Sequence, residues 1–235
     1  MNALAGGTAV VTGASRGIGR AIAIRLAQAG ADIALWARDR AALAEVAGEI
    51  HRTGGRAVAM VVDVTDSAAV TNAAATVRAT MPPVRTVVNN AGSVLRKPTV
   101  DISDAEWRRV IAVNLDGTFH VTRAFLSDLT GGGRIVNIAS RSGREGTALL
   151  AAYCAAKHAV VGLTRALAEE MRAAKVSVNA ICPGSVDTAM LREGLPHARP
   201  DMTPEDIAAT AVFLASPPPF GAPAALTGTC IDVFG

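Results

Sequence analysis

Tyr153 and Lys157 stand four residues apart in Tyr153-Cys154-Ala155-Ala156-Lys157, and Tyr153 is the only tyrosine of the 235-residue chain. On a helix, that spacing puts both side chains on one face, with the ammonium close enough to act on the phenol. A free phenol ionises near a pKa of about 10, and each unit of depression is worth about 1.4 kcal/mol of preference for the phenolate. A fixed cation beside it is expected to supply such a shift. The chemistry on offer is general acid/base catalysis by the phenol. The competing reading is a helix-surface tyrosine with a solvated lysine, and the spacing alone does not separate the two.

The chain that must position this pair is 50% hydrophobic, which suits one sizeable α/β domain over residues 1–235 with a well-buried core. Short β-branched runs alternate with longer Ala/Leu-rich segments of helical period, the pattern of βα units building a parallel sheet. Seven strands are predicted: Thr8 to Thr12, Asp32 to Ala37, Ala57 to Val62, Arg85 to Val88, Arg134 to Ala139, Ser177 to Ile181 and Thr229 to Val233. Right-handed crossovers then put helices on both faces of the sheet. Irregular stretches fall at Thr130 to Gly133, Gly184 to Thr203 and Ser216 to Ala225, where Pro217-Pro218-Pro219 stops a helix.

Composition narrows the partners. The formal charge is +3, without a long Lys/Arg run, so no nucleic-acid or membrane-surface role is expected. Cys154, Cys182 and Cys230 are odd in number and widely spaced, which argues against a disulfide framework and a zinc site; no metal is expected, and a reducing cytoplasm fits best. The N-terminus lacks a charged n-region and an apolar h-region, and no stretch approaches roughly 18 uninterrupted apolar residues. Neither export nor membrane spanning is expected.

The first strand runs straight into Thr12-Gly13-Ala14-Ser15-Arg16-Gly17-Ile18-Gly19, followed by the amphipathic run Arg20 to Ala29. A glycine-rich turn that opens a helix is phosphate-binding geometry. Glycines let backbone pass close to a pyrophosphate, and the helix N-terminus favours its charge. The spacing is GxxxGxG, and its position after strand one of a βα array points to nucleotide binding.

Five separated motifs now agree in order: Thr12 to Gly19, Asn89-Asn90-Ala91-Gly92, Val113-Asn114-Leu115, Ser140 with Tyr153 and Lys157, and Pro183-Gly184 with Thr188. Over nearly its whole length the chain resembles the short-chain dehydrogenase/reductase family. The resemblance implies a single doubly wound Rossmann-type domain and an NAD(P)-dependent enzyme. Tyr153 would donate the proton to a substrate carbonyl oxygen as hydride reaches carbon, or remove it in reverse. Lys157 would lower the phenol pKa and hold the nicotinamide ribose, Ser140 would fix the reacting oxygen, and Asn114 would hold a water linking Lys157 to solvent. By the same resemblance Gly13, Ser15, Arg16, Gly17, Ile18, Gly19, Asp63, Val64, Asn89, Ala91, Gly92, Pro183, Gly184, Val186 and Thr188 line the cofactor site with Tyr153 and Lys157. Bland readings stand beside these, with Ser140 as a strand-end turn residue, Asn114 as a satisfied helix amide and Asp63 as a helix cap.

NAD-preferring relatives tend to place an acid at the end of strand two, where this chain has Ala37. Arg38 and Arg16 could instead flank a 2′-phosphate, so NADP is expected over NAD; a register two residues later would restore an acid at Asp39. The lid, at about 185–203, is short and carries Met190, Leu191 and Leu195. A 3-oxoacyl thioester reductase is one expectation, and a sugar-acid or polyol dehydrogenase another, with Arg96, Lys97, Arg141 and Arg144 near the site. A non-catalytic nucleotide-binding regulator and an epimerase-like relative remain as readings of other classes. The resemblance also implies a homotetramer built on the catalytic helix and the one from Ser103 to Asp128.

Overall fold

The structure, a computed structural model, describes residues 3–235. Seven parallel strands form one sheet: β1 (Thr8–Thr12), β2 (Asp32–Ala37), β3 (Ala57–Val61), β4 (Val84–Asn89), β5 (Arg134–Ile138), β6 (Ser177–Pro183) and β7 (Cys230–Val233), in the order β3-β2-β1-β4-β5-β6-β7. The order reverses between β1 and β4, and such a switch opens a crevice at the carboxyl ends of the strands. Three strand limits lie further out than the sequence predicted, and pairing sets each: Val84 opens β4 against Thr8. Cys182 and Pro183 extend β6 because Asp232 and Val233 of β7 pair with them, and Asn89 extends β4 against Asn137. β3 and β5 each stop one residue earlier than the sequence predicted, and β7 starts one later.

Strand residues alternate between two cores, as the pleat requires. Ala9, Val11, Ile33 and Leu35 face α1 (Gly17–Gln28), α2 (Arg40–Arg52) and α8 (Pro204–Ala215), whereas Val10, Ala34 and Trp36 face α3 (Ser67–Thr80), α5 (Gly117–Phe125) and the end of α6 (Ala151–Glu170). Local chemistry sets where the helices begin. Asp39 and Asp66 accept first-turn N–H groups of α2 and α3, and Ser103 with Glu106 forms a capping box on α4 (Asp104–Ile111). Thr203 and Asp206 do the same for α8, whose first helical residue is Pro204. The lid carries a short α7 (Ala189–Gly194). Among the described residues, no helix is long and apolar enough to cross a membrane.

The sequence predicts one helix from Ser103 to Asp128; the structure breaks it with a π-turn at Ala112–Asp116 between α4 and α5. The Gly117 N–H reaches back to the Ala112 carbonyl, and the Asn114 amide donates to the Val110 carbonyl at 2.9 Å. Wide turns of this kind tend to sit at functional positions. Gly117 is required just beyond it, since a Cβ there would lie 2.5 Å from a methyl of Val64.

Beneath the crevice, buried side-chain amides cross the sheet. Asn89 donates to Thr122 of α5 and to Asn137 of β5, each at 2.9 Å, and Asn137 donates to Thr164 of α6 at 2.9 Å. This chain of bonds fixes α5 and α6 to the two strands whose ends carry the site. Asn137→Ala should leave buried donors and acceptors unmatched and lower stability by about 3 kcal/mol, read as a reduced urea midpoint; an unchanged midpoint would show the network to be dispensable.

Candidate active site

A groove of about 860 Å³ runs along the carboxyl ends of the strands. The structure places Gly13, Ser15, Arg16, Gly17, Ile18, Arg38, Asp63, Val64, Ala91, Gly92, Ser140, Tyr153, Lys157, Pro183, Gly184, Val186 and Thr188 on its walls. Three sequence-predicted residues lie behind the wall. Gly19 packs inside the turn, where a Cβ would come within 2.3 Å of Asn90 Nδ2 and the Gly13 carbonyl. Asn114 is buried in the π-turn. Asn89 corrects the expectation that it lines the cofactor site: β4 runs through it, its side chain turns to the sheet interior, and its amide is spent on Thr122 and Asn137.

The neighbouring Asn90 lines the groove instead, and the sequence reading gave it no role. Its amide donates to the Thr12 and Gly13 carbonyls at 3.0 and 3.2 Å, while the Thr12 hydroxyl accepts from the N–H groups of Asn90 and Ala91 at 3.0 Å each. These bonds clamp the glycine turn to the end of β4. Which of two adjacent asparagines faces inward depends on where the strand ends, the least legible feature of a sequence.

The turn fits a dinucleotide. Gly13 and Gly17 take φ of +63° and +54°, and a Cβ on Gly13 would lie 2.9 Å from the Ala91 backbone. The α1 N-cap, Arg16, makes no side-chain cap, which leaves the helix's first-turn N–H groups for an anion. At the other end of the groove, Arg38 lies 4.0 Å from Asp63. Partial burial raises the Asp63 pKa, but hydrogen bonds from the Thr65 N–H and hydroxyl, with the Arg38 charge, outweigh it and hold the carboxyl below its usual range. Asp39 also lines the groove, and its carboxylate accepts the Ala42 N–H at 3.1 Å and caps α2.

Ser140, Tyr153 and Lys157 meet where β5 and α6 approach. Gly143 makes that approach possible, since a Cβ on it would sit 2.7 Å from the Lys157 carbonyl. Ser140 accepts the Ser142 N–H at 3.1 Å. Burial pushes the phenol up to about 12, against the lowering influence of the neighbouring Ser140 hydroxyl, and burial pulls Lys157 down to about 8. The expectation that Lys157 depresses the phenol pKa is therefore corrected for this state. The ammonium donates to the Ile138 carbonyl at 2.8 Å and stands 5.7 Å from the phenol ring centre, so desolvation outweighs its charge. Asn114 donates to the Ser93 and Val110 carbonyls, leaving its Oδ1 buried without a partner among the described residues. Gly92 keeps the space beside that oxygen open: the point its Cβ would occupy is 2.9 Å from Asn114 Oδ1 and 3.7 Å from Lys157 Nζ.

Comparison with known proteins gives a consistent picture. The family model for the short chain dehydrogenase matches residues 7–198. A galactitol 2-dehydrogenase (L-tagatose-forming) of Cereibacter sphaeroides is 42% identical over 99% of this chain and 95% of its own length. A 3-oxoacyl-acyl-carrier-protein reductase of Pseudomonas aeruginosa is 36% identical over 99% of this chain and 97% of its own. Among solved structures, an NAD(P)-dependent gluconate 5-dehydrogenase assigned to Beutenbergia cavernae, crystallised with NADP at low occupancy, superposes with a TM-score of 0.89 at 42% identity, covering 99% of this chain and 97% of that one.

Because Tyr153 is the only tyrosine, its ionisation can be read alone from tyrosinate absorbance. In protein free of cofactor the midpoint is expected at about 12, well above the ordinary value of about 10. A midpoint below that ordinary value would mean the ammonium, not burial, governs the phenol.

Proposed function

The chain belongs to the short-chain dehydrogenase family and is an oxidoreductase; on that premise we propose that it interconverts a ketone and a secondary alcohol with NADP, using Asn114, Ser140, Tyr153 and Lys157. The observation that carries the reading is that Ser140, Tyr153 and Lys157 line the same stretch of groove wall, with the Ser140 hydroxyl close enough to the phenol to influence its ionisation. A carbonyl oxygen placed there receives two hydrogen bonds, and both strengthen as negative charge develops on it. When bound, the nicotinamide supplies or accepts the hydride.

The chain's own residues handle the proton. Tyr153, held neutral by burial, rests as the acid that carbonyl reduction requires. The Ser142 N–H occupies an Ser140 lone pair, leaving the hydroxyl proton to point at the substrate. Lys157, fixed on the Ile138 carbonyl, stands next to the unpartnered Asn114 oxygen, which supports passage of a replacement proton from solvent through a bridging water. In the oxidation direction the phenol must first lose its proton, so activity in that direction should rise with pH.

Arg16 and Arg38 on the wall, Ala37 at the strand end and the engagement of Asp39 as a cap support NADP over NAD. The relatives are named for a polyol, a carrier-bound thioester and gluconate, so a 3-oxoacyl thioester and a sugar derivative both belong to the candidate range. We take residues 1–235 as one catalytic unit with its lid at 185–203. Outward apolar side chains Trp107 and Phe119 on α4 and α5 support a homotetramer, and three free thiols support a reducing cytoplasm.

Consumption of NADPH with a panel of ketones tests the reaction. Tyr153→Phe should keep cofactor affinity while losing about 10²-fold or more in turnover; near-normal activity would refute the acid/base role. NADPH should bind at least about 10-fold more tightly than NADH, and Arg38→Ala should erase most of that margin. Tighter NADH binding in the parent protein would overturn the cofactor choice.

A further inference from the structure

Tyr153 is packed in a small apolar cluster of its own. Val94 from the loop after β4, Leu150 from the residue before α6, and Met190 and Leu195 from the lid all belong to it, and all four line the groove. The lid rests on this wall without spare room, since a Cβ on Gly194 would lie 2.9 Å from a Val94 methyl. The wall is also anchored from behind. Leu149 holds a left-handed φ of +67° while its carbonyl accepts the Lys97 N–H at 2.9 Å, and the Lys97 ammonium is paired with Glu106. A bulky residue in that backbone region persists only when its surroundings impose it.

The charges around the wall are matched internally. Arg141 pairs with Glu145 at 2.8 Å, Arg144 with Asp232 at 3.4 Å and Arg192 with Asp187. Glu193 also lines the groove and has no basic partner among the described residues; of the basic residues on the groove wall only Arg16 and Lys157 lack an acidic partner, and both belong to the cofactor site proposed above. A carboxylate entering between the apolar walls would lose its hydration and meet no cation beyond those two. Neutral polar atoms are present, however. The hydroxyls of Ser142 and Thr147 bond each other at 3.1 Å, and both residues line the groove beside Ser140.

We infer that the substrate is an uncharged ketone, or the matching alcohol, with one apolar arm against Val94, Leu150, Met190 and Leu195, and that the site discriminates against carboxylate-bearing analogues. This rests on the ketone/alcohol reading given above. A second neutral oxygen on the substrate, as in an ester, a thioester or a hydroxyketone, is served by the Ser142 and Thr147 hydroxyls. Free sugar acids, which the flanking arginines made conceivable, fall outside the class.

The test uses the full chain, NADPH and ketones that share the same keto end: ethyl acetoacetate against acetoacetate, and ethyl butyrylacetate against its acid. Each neutral member is expected to exceed its acid in kcat/KM by about 10²-fold or more, with the longer butyryl ester showing the lower KM of the two esters. Equal or better use of the acids would overturn the inference while leaving the oxidoreductase reading intact. Consumption of NADPH with none of them, although NADPH binds, would overturn the ketone reading and this inference with it. The double variant Glu145→Gln, Glu193→Gln should lower the KM of the acids several-fold and leave that of the esters unchanged. An unaltered gap between acid and ester in that variant would overturn the electrostatic basis of the selection.

Discussion

Lys157 is 4% exposed, and its ammonium has one hydrogen-bond acceptor among the described residues, the Ile138 carbonyl. Burying an ammonium so sparsely paired costs several kcal/mol, and much of the site can be understood as the means of bearing that cost. The end of β5 must deliver a carbonyl to α6, so Gly143 has no side chain and lets the loop after Ser140 rest on the helix backbone. Helix α6 must stay in register with β5, and the Asn137 to Thr164 bond fixes it there. The Asn114 oxygen must be held near the same ammonium, and the π-turn puts it there while its amide stays occupied.

The same desolvation decides the resting protonation. A phenol pushed up to about 12 and an ammonium pulled down to about 8 leave Tyr153 protonated across the physiological range. Such a phenol suits the proposed donor role, and the positive ring of an oxidised nicotinamide, were it held in the groove, would favour the phenolate instead. A simple reading of a tyrosine beside a lysine gives the opposite sign, because it counts the nearby charge and omits the water that burial removes.

What was legible in the sequence was chemistry that demands residue types at fixed spacing. The turn from Gly13 to Gly19, the Tyr153 and Lys157 pair, and the alternation of strands and helices all depend on local backbone rules, and the sheet follows from them. What was not legible depends on contacts distant in sequence. Asn89 turns into the sheet and Asn90 lines the groove because β4 continues one residue further against β5. The direction of the Tyr153 shift comes from the packing of Val94, Leu150 and the lid. The pairing of Arg144 depends on Asp232, which lies far along the chain and returns to the same mouth.

The π-turn has a bearing on how this chain can vary in length. Such a turn winds one residue more than an α-helical turn between its flanking helices. Deleting a residue within 112–116 would restore a regular helix with α5 nearly in its present phase, because the wide turn spreads about one helical turn over one extra residue. Val121 and Phe125 would keep the core they fill, whereas Asn114 would lose the bulge that holds it near Lys157. Core and site thus depend on this segment differently, and losing one residue here should spare the fold while dismantling the site.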